Sequence, residues 1–518
     1  MKIKLTIFIS IINCAVALAI GVSVYSMISL GDWAHQRQAD SQGADKGARP
    51  FGKDGAGINF DKKILMDRDK TLKSIKTMNE NFFKMKNEDP LIYTRLPERE
   101  FFNSLFSYFF LNHLMSAKEV ILDEKTVQGF KKEGLLLYSM DQKHPFMKKS
   151  IYLDRSRKSA NKPVVRIGTN VIIIFVESLS AFFLKEEVHG LKGLMPNIRS
   201  MGRDSYSFDN MYNTSFPTIK GLIAALGSAI YLLDENIGGT RIPIPCRFLF
   251  LSNILKAQNY TTIHLQAGSE RFIGMKEFFM KREGYDFFYG SESLAIDNIS
   301  SLKNGFGVDD ETLFEFVVKW LDTYSGEKPL LLTISTINSH PPFKVKFKHP
   351  GAGENDMLNA LYSTDKAFGK FWEYFKKSKY RDNTLVILTA DHAMGNNKEY
   401  ITFVKNFEDY YHPFFDVIPC FMHFPGGAWK GAVNKTPCVS LDLLPTILDM
   451  MNLDMANPFM GLSVFSERPY YKRKKQSIGD FKNIDAKKMA EAKKLLSFFL
   501  NLYREDRIIP KDYTVKTF

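Results

Sequence analysis

Five short apolar runs, at 171–176, 262–266, 330–337, 385–389 and 418–424, constrain this chain more than any other feature. Each is rich in Ile, Val, Leu or Phe, and stretches with helical spacing separate them. A strand that is apolar on both faces has to be covered on both faces, and a parallel sheet sandwiched between helices is the packing that does so. The expected fold is therefore α/β, with a mainly parallel sheet and helices on either side, over residues 166–470. In such sheets ligands bind beyond the carboxyl ends of the strands, so chemistry is expected there.

Two of the runs end in candidate ligands. Val171-Ile-Ile-Ile-Phe-Val176 is followed at once by Glu177-Ser178, and Leu385-Val-Ile-Leu-Thr389 by Ala390-Asp391-His392. Two carboxylates and an imidazole where buried strands open to solvent form a set suited to Mn²⁺ or Zn²⁺. Taken singly, each would read as a capping or solvated residue; their conjunction points to a site. Between them, Pro217-Thr218-Ile-Lys-Gly221 leads into an apolar run. Proline suits a first helical turn, which puts Thr218 at a helix N-terminus, where backbone N–H groups and the positive dipole end stabilise an alkoxide and an attached phosphate. A metal on the same oxygen would activate it as a nucleophile.

The order of short motifs carries a family resemblance. Glu177-Ser-Leu-Ser, Met195-Pro-Asn197, Pro217-Thr-Ile-Lys-Gly221, Phe272-Ile-Gly-Met-Lys-Glu-Phe278, Gly307-Val-Asp-Asp310, Asn338-Ser-His340-Pro-Pro-Phe343, Tyr362-Ser-Thr-Asp365, Ala390-Asp-His392 and Leu441-Asp-Leu-Leu-Pro-Thr446 follow one another in a sequence that resembles the sulfatase-like phosphoglycerol transferases. These are the lipoteichoic acid synthases and periplasmic glucan phosphoglycerol transferases of the alkaline phosphatase superfamily. The resemblance implies one divalent ion, Mn²⁺ before Zn²⁺ or Mg²⁺, held by Glu177, Thr218, Asp391 and His392, with Thr218 as nucleophile. It implies that His340 touches substrate and that Lys220 stands in for an arginine common after the nucleophile. It also implies phosphatidylglycerol as donor, a phospho-threonine intermediate and a glycan or lipid acceptor. Gln266 and Met275 occupy places where the lipoteichoic branch has a histidine and an arginine, so this chain looks more like the glucan branch. Phosphoethanolamine transfer and ester hydrolysis on the same fold are the alternatives, and a non-catalytic binder of anionic polymers is another. Ser215-x-Pro217 resembles the start of a sulfatase signature, but the arginine needed four places on is Ile219 here.

The flanks decide where such a site would work. Leu5 to Leu30 is a run of 26 uncharged positions after Lys2 and Lys4, and about 20 apolar residues span a bilayer. A cleaved signal peptide, with an apolar region of roughly 7 to 15 residues, is the alternative. The length favours a retained anchor, residues 1–30, with the rest of the chain outside the inner membrane, on the periplasmic side. Residues 31–60 read as a flexible linker and 61–165 as a helical lead-in. Relatives in the resembled family usually carry several spans, so either a shortened form or a partner membrane protein that supplies the spans or presents the acceptor is a further expectation.

Net charge is +13, and the stretch from Lys472 to the end holds 13 basic and 6 acidic residues. About half of the excess therefore lies on a basic, amphipathic tail, 471–518, rather than striping a folded domain, which argues against nucleic acid and for anionic lipid or the catalytic domain as the tail's contact. Cys14, Cys246, Cys420 and Cys438 lack CxxC spacing, so no cysteine metal site is expected. His264, His412 and His423 read as structural.

Overall fold

The computed structural model describes residues 143–152, 162–231, 247–281, 284–294, 306–343, 345–407, 416–466, 502–503 and 505–516. The apolar run 5–30, the 31–60 linker, His412, Cys14, Cys246 and most of the lead-in and basic tail lie outside these residues. Among the described residues no helix is long and apolar enough to cross a membrane.

Ten strands are described: β1 Asn170–Val176, β2 Tyr206–Phe208, β3 Met211–Tyr212, β4 Thr261–Gln266, β5 Phe287–Tyr289, β6 Leu330–Ser335, β7 Thr384–Ala390, β8 Cys420–His423, β9 Val433–Asn434 and β10 Cys438–Val439. Eight form one sheet in the order β5-β4-β6-β1-β7-β8-β2-β9, and β10 pairs with β3. The five strands from β5 to β7 are parallel. Every residue of β6 and β7, and all of β1 after Asn170, is buried, as strands covered on both faces must be. Each fully buried Ile, Leu or Val side chain there contributes roughly 1.5–3 kcal/mol of transfer free energy.

The run at 418–424 departs from the expected direction. It is a strand, but β8 pairs antiparallel with both β7 and β2. An apolar run reports burial and not polarity, so the direction of a strand near the end of a parallel sheet is not encoded in its composition.

Five helices bear on the site: α1 Pro196–Arg203, α2 Thr218–Gly227, α3 Asp310–Thr323, α4 Asp356–Lys377 and α5 Leu443–Met450. Their motifs are structural fasteners. Asp365, on α4, accepts the Asn197 and Ile198 backbone N–H groups at 3.1 and 2.8 Å and the Asn197 side chain at 2.8 Å, so it satisfies donors at the start of α1 that the helix cannot. Gly369, one turn later, leaves room for Asn197, whose side-chain atoms lie 2.6–2.9 Å from where a Cβ would stand. Asp442 accepts from Val439 and Leu462 backbone N–H groups at 2.9 and 2.8 Å, tying α5 to the segment that follows it.

The described ends of the lead-in and tail dock on this domain. Lys148 and Asn457 exchange backbone hydrogen bonds of 2.8 and 2.9 Å, and Lys162 forms a buried ion pair with Asp449. In the tail Tyr503 is buried, its ring centroid 5.6 Å from that of Phe248. Asp506 binds Arg247 through both carboxylate oxygens, at 2.8 and 2.9 Å.

Candidate active site

Strand register brings the two acids together. Val176 of β1 pairs with Ala390 of β7, so the first residues beyond that pair, Glu177 and Asp391, emerge side by side from adjacent parallel strands. His392 follows on the same turn. Ligand atoms of Glu177, Asp391 and His392 all lie within 4.8 Å of one another, and all three residues are buried. His392 Nε2 is 3.4 Å from Asp391 Oδ2 and 3.6 Å from Glu177 Oε1.

Thr218 completes the group from a third element. Pro217, in extended conformation, is the residue before α2, and its carbonyl accepts the Lys220 and Gly221 N–H groups at 2.9 and 3.1 Å. Thr218 is thus the first helical residue, as expected. Its Oγ1 donates to Glu177 Oε2 at 3.0 Å and lies 3.5 Å from His392 Nε2. The approach is that close because residue 221 is glycine: a Cβ there would stand 2.2 Å from the Asp391 carbonyl oxygen. Lys220, in the same turn, is buried rather than on a solvated face.

The electrostatics of the cluster call for a cation. Burial, reinforced by the like charge of Glu177, pushes the Asp391 carboxyl up to about 7. Burial opposes the charged form of His392, yet Asp391 and Glu177 leave its pKa above the ordinary imidazole value. Asp391 Oδ2 is buried with no hydrogen-bond partner, a costly arrangement for a carboxylate oxygen unless a ligand meets it. Two carboxylate groups, an imidazole and a hydroxyl fit a hard or borderline divalent ion.

Ser178, directly after Glu177, has a role that its motif alone does not disclose. Its N–H donates to Asp391 Oδ1 at 2.9 Å and its hydroxyl to Glu177 Oε1 at 2.6 Å, so it fixes both acids. It does so from φ +54°, in the left-handed region that few non-glycine residues adopt. Phe216 packs edge-on to His392, with ring centroids 4.8 Å apart. Neither role is legible in the sequence: a serine after a strand-end acid is commonplace, and nothing marks Phe216.

His340 stands beyond β6, half-buried, with the Phe306 ring tilted 58° to it at a centroid distance of 4.6 Å. Desolvation, aided by the charge of His392, keeps its pKa below the ordinary value. Its Nδ1 is 2.6 Å from the Pro341 carbonyl, which can only accept, so Nδ1 carries the proton and Nε2 is the nitrogen left for other partners. Gln266 turns back to donate to the Ser269 carbonyl at 2.9 Å, and Met275 is buried. His264 is enclosed by Phe279, Tyr285 and Phe288, and burial drives its pKa down to about 3. His423 lies edge-on to Trp372. Cys420 and Cys438 are buried and form no disulfide with each other. Ser215 has a buried hydroxyl with no hydrogen-bond partner.

The Sulfatase family model matches residues 169–453, more than half of the chain. The chain belongs to the sulfatase family. Within that family it is similar to phosphoglycerol transferase I of Xanthomonas euvesicatoria, 25% identical over 243 aligned positions that cover 44% of this chain and 34% of the relative. Phosphoglycerol transferase I of Escherichia fergusonii is 24% identical over 48% of this chain and 33% of its own length. The matched stretch therefore spans about a third of these relatives. Among solved structures, a Vibrio parahaemolyticus protein of the alkaline phosphatase superfamily superposes with a TM-score of 0.58 at 20% identity, covering 76% of this chain and 98% of that one. The lipoteichoic acid synthase LtaP of Listeria monocytogenes gives 0.50 at 17%, covering 75% and 98%. The fold is that of the alkaline phosphatase superfamily.

Proposed function

We propose that this chain is a metal-dependent transferase that moves phosphoglycerol from phosphatidylglycerol through Thr218 to an extracytoplasmic glycan or lipid acceptor. The observation that carries it is the Thr218 hydroxyl, held at the start of α2 and 3.0 Å from Glu177 Oε2, inside a buried cluster with Asp391 and His392. Glu177, Thr218, Asp391 and His392 would hold a divalent ion, Mn²⁺ before Zn²⁺ or Mg²⁺. When bound, that ion would lower the threonine's pKa and offset the phosphate's negative charge.

In the first half-reaction Thr218 Oγ1 forms a bond to phosphorus as the bond from phosphorus to the diacylglycerol oxygen breaks. The threonine proton ends on the departing diacylglycerol. In the second, an acceptor hydroxyl displaces Thr218, which recovers a proton. The N–H groups of α2's first turn face the developing negative charge. Lys220 is proposed to bear on the phosphate from that turn. His340, with Nδ1 committed to Pro341, offers Nε2: neutral, it takes a proton from the acceptor hydroxyl; protonated, it donates to a phosphate oxygen. A membrane-held enzyme on the periplasmic side suits a donor that lives in the bilayer, with an N-terminal anchor and a partner that supplies further spans as the associated expectations. The relatives named phosphoglycerol transferase I support glycerol over ethanolamine. Ile219 in place of the signature arginine, with the Ser215 hydroxyl sealed, weighs against formylglycine-type sulfate hydrolysis.

The test is incubation of detergent-solubilised protein with Mn²⁺ and vesicles of head-group-labelled phosphatidylglycerol or phosphatidylethanolamine. Diacylglycerol release with a phosphoglycerol adduct on Thr218 is expected from the first lipid. Release from neither lipid, or full activity in Thr218→Ala, overturns the reading.

A further inference from the structure

We infer that Asp310 is a positioning residue for His340, acting through a buried hydrogen-bonded turn; this rests on the proposed role of His340 in the transfer. Asp310 opens α3 and is fully buried. Its Oδ1 accepts the Ile337 N–H at 2.7 Å, its oxygens share the Asn338 N–H at 3.3 and 3.4 Å, and Oδ2 accepts the Thr364 hydroxyl at 2.6 Å. In return the Asp310 N–H donates to Asn338 Oδ1 at 3.2 Å. The loop that leaves β6 is therefore pinned at two successive residues to the start of α3, and α3 is pinned to α4.

His340 hangs directly from that anchorage. Its N–H donates to the Ile337 carbonyl at 2.9 Å, closing a turn whose first residue is the one Asp310 holds. Ser339, inside the turn, donates its hydroxyl to the Glu177 carbonyl. Three motifs that are far apart in sequence, Gly307-Val-Asp-Asp310, Asn338-Ser-His340 and Tyr362-Ser-Thr-Asp365, thus form one unit. The acid does what a neutral amide cannot: both oxygens accept, whereas an asparagine would turn an NH₂ toward one set of donors. Burial of this carboxyl is costly and pushes its pKa up to about 7, and the three donors offset that cost only in part. Such an arrangement earns its place by holding backbone where a loop alone would wander.

The experiment combines a substrate-free readout with a double-mutant cycle on the full chain. Histidine-selective NMR titration, with His340→Ala to assign the resonance, should show the His340 titration midpoint moving by more than half a pH unit in Asp310→Asn. No movement overturns the inference, whatever the donor lipid proves to be. In the lipid assay, Asp310→Asn should lower kcat by about 10- to 100-fold, the scale expected when a catalytic group shifts by about 1 Å. On the His340→Ala background the same change should cost less than threefold. Mn²⁺ affinity should stay within threefold, which separates this route from damage to Glu177. Additive losses in the cycle, or a matching loss of Mn²⁺ affinity, assign Asp310 a general structural role and overturn the inference. Should Asp310→Asn not fold, Thr364→Val removes one donor at nearly constant volume and is expected to move the His340 midpoint in the same direction; an unmoved midpoint is again a refutation.

Discussion

Replacing Gly221 by alanine puts the closest contact in the site to a quantitative test. The added Cβ would sit 2.2 Å from the Asp391 carbonyl oxygen and 2.9 Å from its carbonyl carbon. Ordinary van der Waals contact begins near 3.4 Å, so α2 and the end of β7 must separate by about 1 Å. Both partners are backbone, and no side-chain rotamer can absorb the difference. Overpacking of this kind costs about 1–3 kcal/mol, and the better helix propensity of alanine returns about 1 kcal/mol of it, so net stability should fall only modestly. The geometry should suffer far more. A separation of about 1 Å opens the 3.0 Å contact between Thr218 and Glu177, and misplacement on that scale costs roughly 100-fold in turnover. Diacylglycerol release from phosphatidylglycerol vesicles, read beside a thermal melt, distinguishes the two effects. Turnover within threefold of the wild type would refute the claim that this glycine sets the distance between nucleophile and acid.

Ser178→Ala and Ser178→Gly each remove the hydroxyl that donates to Glu177 at 2.6 Å, and both should weaken Mn²⁺ binding by about 10- to 100-fold in calorimetry. Only Ser178→Gly also relieves the positive φ, so it should melt above Ser178→Ala; the reverse order would contradict the strain argument. For pH, burial holds the Asp391 carboxyl at about 7 against an ordinary aspartate value of 3.8, so the metal-free fold binds a proton the unfolded chain has lost. This group's contribution to metal-free stability therefore falls as pH rises from about 4 to about 7, and Mn²⁺, by keeping Asp391 ionised, should raise the melting temperature more at pH 8 than at pH 5. A Mn²⁺-induced gain equal at the two pH values would exclude the coupling.

Much of this arrangement was legible in the residues. Strands that must be buried on both faces announce themselves as runs such as Val171 to Val176, and the acids that end them mark where the sheet opens. The helix start at Thr218 followed from Pro217. Not legible were the direction of β8, because composition carries burial without polarity, and the role of Ser178, because a serine after an acid is commonplace until its φ and both its partners are seen. The motifs at Asp365 and Asp442 carried the resemblance without disclosing that they fasten helices rather than touch substrate.

The division has a physical origin. Periodicity, strand-end placement and helix-start chemistry are local, set by a few neighbouring residues, and they mark Glu177, Thr218, Asp391 and His392 as candidates, with His340 added by the family resemblance. Distance between them is not local. It depends on the register that sets Val176 beside Ala390, on a missing Cβ at Gly221, and on a buried carboxylate at Asp310 that holds a turn 27 residues away in sequence. Close packing couples such contacts across the whole domain, so which candidates stand within 3 to 4 Å of one another emerges only when the sheet and its covering helices are assembled.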